Sequence, residues 1–147
     1  MIRVEGRVRV REEASRALTY LADFRHLPQW DPGIAEVRQL GGDGPAEGAV
    51  YRVVARFLGA RIPMRYRTTH FDPEAGVAEI RGETPTLIAV DRITVRPLVG
   101  EGSAEAEVFW QADFTMKGPA RLAERWMKPL FDRLGRKAMD GLRAKLG

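Results

Sequence analysis

With 147 residues, 44% hydrophobic and 30% charged, the chain has the size and balance of one soluble globular domain and is too short for two. It contains no Cys, which excludes disulfide frameworks, thiolate metal sites and Cys nucleophiles and makes an intracellular, cytoplasmic setting the expectation. The net charge is +4, but the arginines are spread singly over alternating stretches and form no clustered phosphate-binding groove, so no nucleic-acid partner is expected.

The N-terminus alternates Ile2, Val4, Val8 and Val10 with Arg3, Glu5, Arg7 and Arg9, which predicts a strand with one wet face. It has no continuous apolar run, so no signal peptide is expected, and no stretch reaches the ~18 apolar residues of a membrane span. From Glu12 to Phe24 the period changes: Ala14, Ala17, Leu18 and Leu21 make the stripe of a short helix whose start carries Glu12 and Glu13, where the helix dipole favours acids. The proline-bracketed Leu27-Pro28-Gln29-Trp30-Asp31-Pro32-Gly33 follows, with Trp30 read as a plug that seats the segment on a sheet. A ligand contact is its other reading.

Five strands with short turns come next. They are expected at Ile34 to Leu40, Ala49 to Leu58, Ile62 to Phe71, Val77 to Glu83 and Thr86 to Leu98. Gly100-Glu101-Gly102 closes a hairpin into a last strand, Ala104 to Thr115, completing an antiparallel set of seven. Arg52, Arg56, Arg65, Arg67, Arg92 and Arg96 fall on the wet side of these strands. From Gly118 to Leu146 the chain then reads as one long amphipathic helix bent at Pro129, with Leu122, Trp126, Met127, Leu130, Leu134, Ala138, Leu142 and Leu146 as its stripe.

Strand, short helix, run of antiparallel strands and long terminal helix describe an α+β architecture: a curved seven-stranded sheet gripping a helix, with one or two short helices after strand one. Parity points Tyr51, Val53, Phe57, Met64, Tyr66, His70, Ala89, Asp91 and Trp110 inward, toward Trp126, Met127, Leu130 and Phe131 of the helix. Pockets of this kind are mostly apolar with a few placed polar groups, here Tyr51, Tyr66, His70 and Asp91. For His70 a hydrogen-bonded strand-end histidine is the alternative. A carboxylate at Asp91 is expensive in an apolar interior, so it is either satisfied by a neighbour or marks a functional site.

The segment Ala22-Asp23-Phe24 with Leu27 to Gly33 resembles the stretch after the first helix in polyketide cyclase/dehydrase-type proteins. Val90-Asp91-Arg92-Ile93-Thr94-Val95 and Lys117-Gly118 fit the same pattern. These proteins belong to the SRPBCC superfamily, which shares its helix-grip fold with START lipid-transfer domains and the birch-pollen allergen, and the resemblance runs end to end. It implies a small hydrophobic ligand (a lipid, isoprenoid, quinone or polyketide) held between sheet and terminal helix, or a cyclase/dehydratase that uses polar pocket groups for proton transfer. Neither metal nor cofactor is expected, because His26 and His70 are far apart in sequence and no nucleotide-binding or hydrolase motif is present. The segment from Lys117 to Gly147 carries nine basic and three acidic residues. A solvated helix face explains them; transient contact with an anionic membrane, or an acidic partner, is the alternative.

Overall fold

The computed structural model describes residues 1–100 and 103–147. The alternating N-terminal residues form β1 (Ile2–Val10), which pairs antiparallel with the last strand, β7 (Ala106–Met116), from Ile2 opposite Phe114 to Val10 opposite Ala106. Between them, β2 (Ile34–Gly41), β3 (Val50–Phe57), β4 (Ala60–Asp72), β5 (Val77–Thr84) and β6 (Leu87–Pro97) make the expected meander. The sheet order is β1-β7-β6-β5-β4-β3-β2. Of the expected Gly100-Glu101-Gly102 turn, Glu101 and Gly102 lie outside the described residues. The arginines assigned to the wet face are on it, and some are paired there: Arg92 Nη2 lies 2.5 Å from Glu79 Oε2.

Helix α1 (Ala14–Ala22) starts at Glu13, whose carboxylate accepts from the Ser15 and Arg16 amides at 2.9 and 3.2 Å. That satisfies two of the free N–H groups that every helix start presents. Its stripe of Ala17, Leu18, Leu21 and Ala22 is buried on the sheet. A 3-10 helix over Phe24–Gln29 follows at once. Burial alone would raise the Asp23 carboxyl at its start, but hydrogen bonds from the Arg25 guanidinium and amide bring it below its usual value.

The single terminal helix expected from Gly118 onward is two pieces. Gly118–Ala123 is a 3-10 helix with no buried residue and no side-chain cap, joined to the longer helix by the Glu124 amide donating to the Arg121 carbonyl. Helix α2 is Glu124–Leu146, and Pro129 therefore falls in its second turn instead of the middle; the helix runs on past it. Two glycines let α2 lie close. A Cβ at Gly141 would collide with the Trp30 carbonyl oxygen, and one at Gly135 with Val4 of β1. Leu142 beside them is fully buried, and the Arg11 amide donates to the Leu146 carbonyl at 2.7 Å. At the other end, Phe131 stacks on Phe114 of β7 at 4.4 Å and on Phe57 of β3 at 5.8 Å. Those two strands are far apart in the sheet order, so the sheet curls until one helix side chain spans it.

Candidate functional site

Where α2 crosses the curled sheet, the side chains do not fill the space between them. A cavity of about 290 Å³ remains. Its walls are Val53, Phe57, Ile62, Met64, Trp110, Ala112 and Phe114 from the strands and Met127, Phe131, Leu134, Ala138 and Met139 from α2, with Trp30 and Leu27 from the segment after α1. It reaches the surface where exposed Glu5, Arg56 and Thr86 join the wall. Trp30 is held edge-on against Trp110 at 5.2 Å, and Phe24 lies against Tyr66 and Trp110 on the packed side. The aromatic cluster thus forms one boundary of the cavity, and Met127 and Met139 of α2 form part of the other.

Besides the polar residues where it opens, three enclosed polar side chains, Asp91, Asp31 and Tyr66, interrupt this surface. Asp91 projects from β6 into the interior with its residual accessible surface on the cavity, and among the described residues no hydrogen bond or ion pair reaches its carboxylate. Burial, with the nearby charges of Asp31 and Asp113, pushes it up to about 7. Asp31, in the loop before β2, is deeply enclosed as well; burial pushes it up to about 6, opposed only by the Gly33 amide donating at 2.8 Å. Tyr66 on β4 lies over Gly82 of β5, where any Cβ would strike its ring, and this flat seat fixes the phenol at the cavity. Burial first, and then both carboxylates, push that phenol well above its usual value. Its hydroxyl has only the Met64 sulfur at 4.0 Å, a weak acceptor. The cavity therefore has an apolar body and an acidic end whose carboxylates, among the described residues, are paired with no cation.

A family model described as polyketide cyclase / dehydrase and lipid transport matches residues 1–147. The chain belongs to that family. Among solved structures, a START superfamily protein from Mycobacterium smegmatis superposes with a TM-score of 0.77 at 17% identity, covering 98% of this chain and 96% of that one. The Zhui aromatase/cyclase from Streptomyces sp. R1128 gives 0.78 at 18% identity over 97% and 92%. A protein from Thermus thermophilus gives 0.76 at 12% over 97% and 94%. No curated protein matches the chain. At these identities the structural likeness carries the fold, and the fold is the helix grip.

Within this polyketide cyclase / dehydrase and lipid transport fold, Val53, Phe57, Met64, Tyr66, Asp91, Trp110, Met127 and Phe131 all meet at the cavity, as parity indicates. Five other candidates lie elsewhere. His70 points outward, its side chain about half exposed and Nδ1 3.4 Å from Glu47. A β-bulge between Thr68 and His70 inverts the alternation there, so Phe71 takes the inward place. Trp126 is 71% exposed. It lies about 140° around the helix from Phe131, too far for both to face one surface. Leu130 is half-buried off the cavity wall, Ala89 is sealed in the close-packed core, and Tyr51 is fully buried with its hydroxyl donating to the Gly44 carbonyl at 3.3 Å. Asp31 is the functional candidate that sequence reading missed. The available signal was an acid between a large aromatic and Pro-Gly, in a segment predicted to be seated against the sheet. No group of three His, Cys, Asp or Glu side chains suited to a metal ion occurs among the described residues.

Proposed function

We propose that the whole chain acts as one ligand-binding domain that takes a small hydrophobic molecule, of the lipid, isoprenoid, quinone or polyketide kind, between sheet and α2. The observation that carries this reading is the apolar-walled cavity of about 290 Å³, a space that a protein interior normally closes at close packing. The absence of Cys supports a reducing, cytoplasmic setting for it.

Ala112 provides the test, because its small side chain lies on the wall between Trp110 and Phe114. Ala112→Phe places a ring in open space, so the melting temperature should stay near that of the native protein while uptake of the neutral fluorophore Nile red is lost. Strong destabilisation with uptake intact would mean that the space is needed for packing and that the ligand goes elsewhere.

One observation favours a second reading, a cyclase/dehydratase-type enzyme. Two carboxyls raised toward neutrality beside a phenol are groups able to take and return protons near pH 7. Membrane contact is a separate element of the proposal. No helix among the described residues is long and apolar enough to cross a membrane. Exposed Leu122 and Trp126, flanked by Arg121, Arg125 and Lys128 and next to cavity residue Met127, nevertheless suit an anionic bilayer surface.

A further inference from the structure

The acidic end of the cavity is electrostatically incomplete. Inside a protein, a carboxylate is ordinarily matched by a cation or by several hydrogen-bond donors. Asp91 has neither among the described residues, and Asp31 has one backbone amide. The charged and titratable groups around them supply no counter-ion. On β4 the neighbour is Tyr66, whose hydroxyl meets only a sulfur. Arg56 from β3 reaches the cavity wall, but its Nη1 donates to the Pro32 and Ile34 carbonyls at 3.1 and 3.2 Å. Glu5 from β1 adds negative charge, Asp113 from β7 is already paired with Arg3 at 2.8 Å, and α2 contributes no charged side chain to the wall.

We propose that this cavity selects an apolar molecule ending in a protonated amine, with the ammonium group at Asp91 and Asp31 and the apolar part along α2. The inference rests on the ligand-binding reading above and names the chemical class of the ligand. An ammonium brings three donors and one positive charge, enough to serve both carboxylates and the Tyr66 oxygen. A hydroxyl brings one donor and leaves the charge unbalanced. A carboxylate adds a third negative group to a poorly solvated pocket and is excluded. Because both acids are held above their usual values, the amine binds best where they ionise, and at mildly acidic pH its arrival expels protons from the pair.

The experiment compares octylamine, 1-octanol and octanoate, three molecules of one chain length, by calorimetry at pH 7.5. Octylamine should bind at least about tenfold more tightly than octanol, with octanoate weakest. At pH 5 the amine's advantage should shrink toward none, and at pH 6.5 titration in two buffers of different ionisation enthalpy should reveal proton release. Asp91→Asn, and separately Asp31→Asn, should level amine and alcohol while octanol binding persists. Octanol or octanoate binding as tightly as octylamine overturns the amine assignment alone, as does an amine preference that survives both substitutions. Failure of all three ligands and of Nile red overturns the ligand-binding reading beneath it.

Discussion

Asp91 is a residue whose cost to the fold should be measurable. Its pKa is raised from the ordinary carboxylate value of about 3.8 to about 7 in the native state. Native protein therefore holds the proton more tightly than unfolded chain, and stability must fall as pH rises from about 4 to about 7, then level off. Asp91→Asn removes that fall. Near pH 4 the two proteins should unfold alike in urea; at pH 8 the variant should be more stable by about 2–4 kcal/mol, the full shift setting the upper figure. A variant less stable at pH 8 would show Asp91 acting as an essential structural acceptor. The carboxylate's inward direction was legible from strand parity, since Arg92 and Arg96 could only face water. Parity failed at His70 because it counts residues, and a bulge inserts one without leaving a mark in composition. Asp31 escaped for a related reason: loops have no periodicity from which a direction can be read.

For α2 two local effects compete, and their sizes decide the sign of a substitution. Replacing Gly141 with Ala improves intrinsic helix propensity by about 1 kcal/mol. The added methyl would strike the Trp30 carbonyl, however, and that backbone is fixed by the amides of Trp30 and Asp31 bonding back to Leu27. Overpacking against such a wall costs about 1–3 kcal/mol. Gly141→Ala should thus lower stability by up to about 2 kcal/mol in denaturant titrations, and a more stable variant would show that α2 can slide. The seven strands and the terminal helix were readable because long alternating and helical stripes survive small boundary errors. The helix's working face was less so. Its apolar residues, with Leu122 of the 3-10 piece before it, cover more than one side, and only packing separates Met127, Phe131 and Leu134 from Leu122 and Trp126.

For the molecule as a whole, exposed large apolar side chains occur at Met1, Leu40, Leu58, Val99, Leu122 and Trp126, and the last two lie together where α2 begins, beside basic side chains. If they meet a membrane, the protein should co-sediment with phosphatidylserine vesicles, and Trp126→Ala should weaken this by about tenfold while leaving Nile red uptake unchanged, as expected for loss of one large interfacial aromatic. Equal sedimentation with neutral phosphatidylcholine vesicles, or none with either, would rule out an electrostatic contact. Family and fold could be read over the full length of the chain, because the helix grip is set by element order. The cavity's acidic end could not, because it is assembled from residues 31, 66 and 91, which only the closed sheet brings together.

The partnership of β1 with β7 has a consequence during synthesis. Of the seven strands, β1 is made well before its partner, which arrives about a hundred residues later, Ile2 waiting for Phe114. Until then β1 has an unused row of backbone donors and acceptors and apolar side chains without cover, the features that invite pairing with a neighbouring nascent chain. Closure of so long a loop makes folding slow for a protein of this size, on the millisecond-to-second scale of high-contact-order domains. The charges at Arg3, Glu5, Arg7 and Arg9, one at every second position, then act as protection: they keep the waiting strand soluble until the ribosome has delivered its mate.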